Sequence, residues 1–186
     1  MLEQRIQQHF FESADLKYQA AEVLSRPVAE AVQAIVAGFT AGGRMLVAGL
    51  AGAAPLAQLV AANLLQGFER ERPGLAALAL GPDAATWPRQ VETLGQPGDL
   101  LLLIDADGNA IALVDVARAA QDKDMTVIAL TGRTGGALRE VLGETDVLLT
   151  VPHERRARVL EVQLLVLHCM CDAIDLQLLG EQQDPA

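Results

Sequence analysis

The strongest constraint on this chain is an alternation. Five short apolar runs, 44–49, 75–80, 99–104, 125–130 and 146–151, are separated by segments with helical spacing. Short continuous apolar runs read as strands buried on both faces, and the stretches between them are long enough for crossover helices. Strand–helix–strand units in series predict a parallel sheet covered on both sides, with right-handed connections. Five strands in 186 residues predict an α/β, flavodoxin-like doubly wound sandwich.

Helices flank that core. Leu2, Ile6, His9/Phe10, Leu16 and Val23/Leu24 form one stripe of a first helix, 2–24, which Pro27 is expected to end. Val28, Val32, Ile35, Val36 and Phe39 mark a second helix, 28–40, stopped by Gly42-Gly43. Further helices are expected at 53–68, 82–94 (weak, interrupted by Pro88), 110–121 and within 132–141. A long amphipathic helix covers 154–179, and a polar tail expected to fray follows it. With no repeat or linker, the chain reads as one domain: a helical lead-in 1–41, an α/β core 44–152 and a C-terminal helix 154–179. The first and last helices hold more apolar surface than one small sheet covers, which predicts subunit packing.

Composition narrows the function classes. Apolar residues make up 51% and charged residues 20%, a globular balance. A formal net charge of -10 argues against direct DNA or RNA binding, because a phosphate backbone wants a basic face. The two cysteines, Cys169 and Cys171, sit too close along one helix to pair and read as reduced core thiols. The polar start MLEQRIQQHFFES is unlike a signal peptide, and no stretch reaches the ~18 apolar residues of a membrane span. A cytoplasmic chain without cofactor or membrane partner is expected.

The stretch LLLIDADGNAIAL, 101–113, places two carboxylates where a buried strand hands over to a loop. Such loops are the usual ligand-binding position in a parallel sheet. Asp105 and Asp107 read either as a solvated acidic loop capping the next helix or as groups for a cation or a basic side chain.

Four further stretches, GFERERP (67–73), LGQPGDLLLLI (94–104), MTVIALTGRTGG (125–136) and ARVLEVQLLVLHCMCDAIDLQLL (157–179), together carry a resemblance. The chain resembles the SIS (sugar isomerase) domain family, in the branch of phosphoheptose isomerase and the DnaA initiator-associating protein. The resemblance implies a homotetramer with sugar phosphate held at the strand ends by a loop like GNGGSA and a second like STSGNS. In this chain the first loop reads Gly49-Leu50-Ala51-Gly52-Ala53-Ala54, and the second Asp105-Ala106-Asp107-Gly108-Asn109-Ala110. Hydroxyl donors are absent and two carboxylates are present. A carboxylate within about 5 Å of a phosphate costs several kcal/mol at an effective dielectric near 20.

The metal and acid–base positions that the resemblance implies fall on Leu59, Asn63, Leu160 and His168, of which only His168 is a ligand type. The segment between GPDAATW and VETLGQPGD is also shorter than in the isomerases. His168 therefore reads as a structural, vestigial histidine. His153 reads as part of a solvated helix cap, 68–72 as a salt-bridged surface segment, and Trp87 as packing over an emptied pocket. Leu178 and Leu179 match the region of the initiator-associating branch that contributes to binding the N-terminal domain of DnaA; they are equally readable as a buried subunit contact.

From this, the first expectation is a non-catalytic SIS protein, a homotetramer or dimer that presents DnaA-binding surfaces in replication initiation and gains strength from multivalency. The alternatives are a phosphoheptose-type isomerase acting on sedoheptulose 7-phosphate, and a sensor of an uncharged or cationic small molecule through Asp105 and Asp107.

Overall fold

Hydropathy decides the sheet. A computed structural model describes residues 1–181; residues 182–186, most of the tail expected to fray, lie outside the described residues. The strands are β1 (Met45–Gly49), β2 (Ala77–Ala79), β3 (Leu100–Ile104), β4 (Thr126–Thr131) and β5 (Val147–Thr150). All pair in parallel, in the order β2-β1-β3-β4-β5. The three central strands, β1, β3 and β4, are buried almost throughout, whereas β2 and β5 are less buried and lie at the edges. A doubly wound α/β sandwich results, as the alternation predicted.

Each strand sends alternate residues to opposite faces, so each face has its own core. On one side α1 (Leu2–Thr40), α2 (Ala54–Gln66) and α6 (Arg156–Leu179) pack Ile35, Val60, Val166 and Leu167 against Val47, Leu102 and Ile128. On the other, α3 (Trp87–Leu94), α4 (Ile111–Gln121) and α5 (Leu138–Val141) pack Trp87, Val91, Leu113 and Leu138 against Leu46, Leu103 and Val127. Fully burying a side chain of this size stabilises by about 1.5–3 kcal/mol, so both layers contribute substantially.

Two expectations about prolines are corrected. The lead-in is one helix, not two: Pro27 lies inside α1. The bond it cannot make is to the carbonyl of Val23, whose residue is 52% exposed, so water can take that carbonyl. Ser25 Oγ donates to the Ala21 carbonyl and Arg26 pairs with Glu30 at 2.9 Å across the same turns. Pro88 does not interrupt α3 but occupies its first turn, where no backbone N–H is missed, after a single 3-10 turn, Ala84–Thr86. A 3-10 turn, Ala51–Ala53, likewise precedes α2. At about 1.5 Å per residue, α1 spans roughly 58 Å. Among the described residues no helix is long and apolar enough to cross a membrane.

Candidate functional site at the carboxyl ends of β1 and β3

In the order β2-β1-β3-β4-β5 the connections reverse direction between β1 and β3, and ligands of such sheets bind in the crevice that this reversal opens. Two loops meet there. Gly49 and Ile104 stand level across the ladder, and Leu50 N–H donates to the Ile104 carbonyl at 3.0 Å. Gly49 must be glycine, because a Cβ there would run into the Ala53 carbonyl. Ala51 is held at φ 50, a left-handed conformation that disfavours a side chain. Ala53 is buried, and Gly52 lies against Leu160 of α6. A cavity of about 270 Å³ opens beside this loop, lined by Gly49, Ala54, Gln58, Leu80 and Gly81.

The second loop is not the solvated acidic loop that the sequence predicts. Asp105 is only 3% exposed. Its Oδ2 accepts the N–H of Asp107 at 3.2 Å and of Gly108 at 2.8 Å. Nor does it cap α4, whose N-cap is Ala110 with no side-chain bond. Asp107 is exposed and its Oδ1 accepts the N–H of Asn109 at 2.9 Å. Asn109 Oδ1 in turn accepts the N–H of Ala137 at 3.2 Å, linking this loop to the one after β4. Gly108 sits at φ 76, and a Cβ on it would meet the Gly135 carbonyl, so the two loops pack backbone on backbone.

Beneath them lies Gln163 of α6, fully buried, whose Nε2 donates to the carbonyls of Asp105 at 2.7 Å and Leu130 at 3.0 Å. Sequence reasoning passed over Gln163. Its signal was a lone amide in the apolar run VLEVQLLVL.

The rim of this edge carries the polar groups. Thr131 is buried at the end of β4, and Arg133 N–H donates to the His153 carbonyl at 3.3 Å. His153 is half-buried rather than fully solvated, and its Nδ1 accepts the N–H of Arg155 at 2.9 Å. At the start of α6, the buried Arg158 meets Glu161 of its own helix at 2.5 Å and bridges to α1, reaching Glu12 at 3.6 Å and His9 Nδ1 at 2.6 Å. The Gln8 amide and Arg158 hold the exposed Glu12 carboxyl below the usual carboxylate range.

The metal positions that the resemblance implied do not fit a metal. Leu59 and Leu160 offer hydrocarbon, and Asn63 an amide. His168 stacks at a tilt on Phe68, ring centroids 5.3 Å apart. Among the described residues no three His, Cys, Asp or Glu side chains come together as a metal-binding group.

The neighbourhood is instead structural. The Arg72 side chain is 1% exposed and pairs with the equally buried Asp175 carboxylate at 2.5 Å, while also donating to the carbonyls of Leu64 and Asn63 at the end of α2. The segment 68–72 is therefore not a surface run of ion pairs. Burial, helped by the Asp175 carboxylate, pushes the Cys171 thiol up to about 11, so it stays protonated and inert. Trp87 does not cover a pocket. It is buried in the α3–α4 layer with its indole N–H on the Gly81 carbonyl at 2.7 Å. Leu178 and Leu179 are exposed at the end of α6.

Three comparisons follow from this geometry. The SIS domain model matches residues 8–132. The chain is 57% identical over 98% of both chains to a phosphoheptose isomerase of Methylibium petroleiphilum. Among solved structures it is similar to the phosphoheptose isomerase of Neisseria gonorrhoeae, with TM-score 0.87, 37% identity and coverage of 94% of this chain and 99% of that one. It is equally similar to that of Francisella tularensis, with TM-score 0.89, 35% identity and coverage of 94% and 98%.

These findings overturn the expectation of a non-catalytic, DnaA-binding scaffold. That expectation weighed the altered loops, with Leu50, Ala53, Asp105 and Asp107, the positions Leu59, Asn63 and Leu160, and a shortened segment against a ligand set carried over from a resemblance. The relatives that match from end to end bear the isomerase name, and the reading of lost activity falls with the scaffold. The chain belongs to the SIS domain family, in its phosphoheptose isomerase branch.

Proposed function

We propose that this chain is a sugar-phosphate isomerase of the phosphoheptose type, interconverting sedoheptulose 7-phosphate and its aldose isomer in the cytoplasm. End-to-end similarity to a named phosphoheptose isomerase, at 57% identity, carries the reading. In this reading the substrate sits at the strand ends, by Gly49, Gly52 and Ala53 of the first loop and Asp105, Asp107, Gly108 and Asn109 of the second. Isomerisation moves one hydrogen between neighbouring carbons and one between neighbouring oxygens, so it needs proton-transfer groups and no external oxidant. His153, half-buried where β5 hands over to α6, is the imidazole that this reading assigns to the work. Because its Nδ1 accepts the Arg155 N–H, the neutral ring carries its proton on Nε2, a donor for a sugar oxygen. The buried Arg158, with Glu161 and His9, holds α6 in register at the same edge.

Self-association accompanies this reading. Leu2, Ile6, Phe10, Phe11 and Tyr18 are exposed along α1, and an apolar groove of about 370 Å³ runs between α1 and α6, lined by Leu24, Val28, Leu165 and Val166. A homotetramer or dimer covers such a face.

The test is direct. Purified protein at micromolar concentration is incubated with sedoheptulose 7-phosphate, and the sugar is followed by proton NMR. Conversion within an hour is expected. No conversion over a day, in an assay that detects an established isomerase, overturns the reading.

A further inference from the structure

Among the described residues Gln163 is the only buried amide side chain, and it is wholly shielded from solvent. Val159, Val162, Val166 and Leu167 flank it along α6, all of them in the core of that face. An amide placed there costs stability unless it is bonded. Its nitrogen is bonded twice, to the carbonyls of Asp105 at 2.7 Å and Leu130 at 3.0 Å. Two carbonyls can face only the nitrogen, so chemistry settles which way the amide points. The other end, Oε1, has no partner among the described residues. Leucine or methionine would fill the same volume without an unpaired oxygen, so packing alone does not account for glutamine here.

The two carbonyls stand on either side of one seam, where the β3–β4 ladder opens into loops. Ile104 and Leu130 form the last pair of that ladder, and the Leu130 carbonyl also accepts the Asp105 N–H at 3.1 Å. Beyond it the two loops interlock. Leu138 N–H donates to the Gly108 carbonyl at 3.1 Å, Ala137 N–H to Asn109 Oδ1 at 3.2 Å, and a Cβ on Gly132 would run into the Ala106 carbonyl. The pair therefore behaves as one body, and Gln163 bonds that body to α6 at its base. One turn earlier on the same helix, Leu160 lies against Gly52 of the loop after β1. Between 160 and 163, α6 thus meets the bases of three strand-end loops, and Gln163 is where its contact is directional.

We propose that Gln163 is a positioning residue of the isomerase: through its two N–H bonds α6 sets how the loops after β3 and β4 stand against the loop after β1 and against His153 at the head of the helix. The proposal rests on the isomerase reading for what those loops hold. Gln163 touches no substrate and is not one of the positions that the resemblance singles out.

The experiment compares the full chain in wild type, Gln163→Leu and Gln163→Glu. Hydrogen exchange is read by mass spectrometry, folding by urea denaturation, and kcat and KM with sedoheptulose 7-phosphate. Gln163→Leu removes both bonds and keeps the bulk. Exchange across 106–109 and 132–137 is expected to quicken about tenfold, as for the loss of one or two ordinary hydrogen bonds, while β1 and α4 keep the wild-type rate. The value of kcat is expected to fall about tenfold with KM changed less, because misplaced reacting atoms cost turnover before they cost binding. Gln163→Glu guards against a leucine variant that fails to fold and adds a signature that lost bulk would not give. A buried glutamate bonded to the residue that carries the Asp105 carboxylate resists ionisation, and only its neutral acid has an O–H to donate. Its loop exchange and kcat, each relative to wild type, are expected to return toward parity as pH falls from about 9 to about 6. Wild-type exchange in both loops of every folded variant overturns the proposal, as does a glutamate variant indifferent to pH. An active wild type whose kcat and KM are unchanged in a variant with loosened loops overturns it too, and leaves the isomerase reading standing. A wild type that turns over no sugar, with loops loosened in the variants, removes the isomerase reading and leaves Gln163 as the residue that sets the loops.

Discussion

Ala51 shows how much a single backbone angle can hold. Its φ of 50 costs an alanine roughly 1–2 kcal/mol relative to a residue without Cβ, and the residue is exposed, so no packing depends on its methyl. Glycine there regains that cost but loses roughly 0.4–1 kcal/mol to the greater freedom of the unfolded chain. Ala51→Gly is therefore expected to stabilise the protein by about 0.5–1 kcal/mol, read from urea midpoints at unchanged slope. The same scale shows what a sequence hides. That Asp105 and Asp107 occupy a strand-end loop was legible from 101–113. That one carboxylate is buried and the other exposed was not, because burial depends on Gln163, fifty-eight residues away. His168 was legible as structural only in part, since its partner Phe68 lies on a different element.

Elements were read better than their ends and better than their ties. All five strands and the crossover helices sit where periodicity placed them, because buried parallel strands advertise themselves as unbroken apolar runs. Pro27 misled the reading, since its cost to a helix is weighed against packing by α1 on the sheet, which a local rule does not see. The segment 68–72 misled it as well: a run of alternating charges reads as solvated, yet Arg72 turns inward to join α2 to α6. Removing one member of such a buried pair strands the other charge, which costs about 3–5 kcal/mol. Asp175→Ala is expected to destabilise the fold by about 3 kcal/mol, and urea denaturation checks it. A loss under about 1 kcal/mol would show that Arg72 is held well enough by the carbonyls of Leu64 and Asn63.

For the molecule as a whole the governing fact is the length of α1. A compact chain of 186 residues has a radius of gyration of about 16 Å, so a helix of roughly 58 Å overhangs its own body. Its first turns carry Leu2, Ile6, Phe10 and Phe11 exposed. Sedimentation equilibrium is expected to return a multiple of the 19.7 kDa chain mass, and Phe10→Asp/Phe11→Asp to lower it. A wild-type mass of one chain at tens of micromolar would remove the self-association reading. That 49–54 and 105–110 are strand-end loops was legible, and how their side chains bond was not. Substitutions at named positions were taken for loss of activity, when similarity along the whole chain pointed to the isomerases.

The two layers also divide the chain's light-absorbing side chains. The single tryptophan, Trp87, is sealed in the α3–α4 layer, and the single tyrosine, Tyr18, stands exposed on α1. Each face of the sheet therefore carries its own natural fluorophore. Indole emission, excited alone at the red edge of the band, reports the loss of packing around Val91 and Leu113, while the phenol, read by difference from excitation where both absorb, reports what comes to rest on the first helix. Dilution that separates copies changes the second signal and leaves the first dark to the event, so assembly and unfolding can be followed in one cuvette without a label.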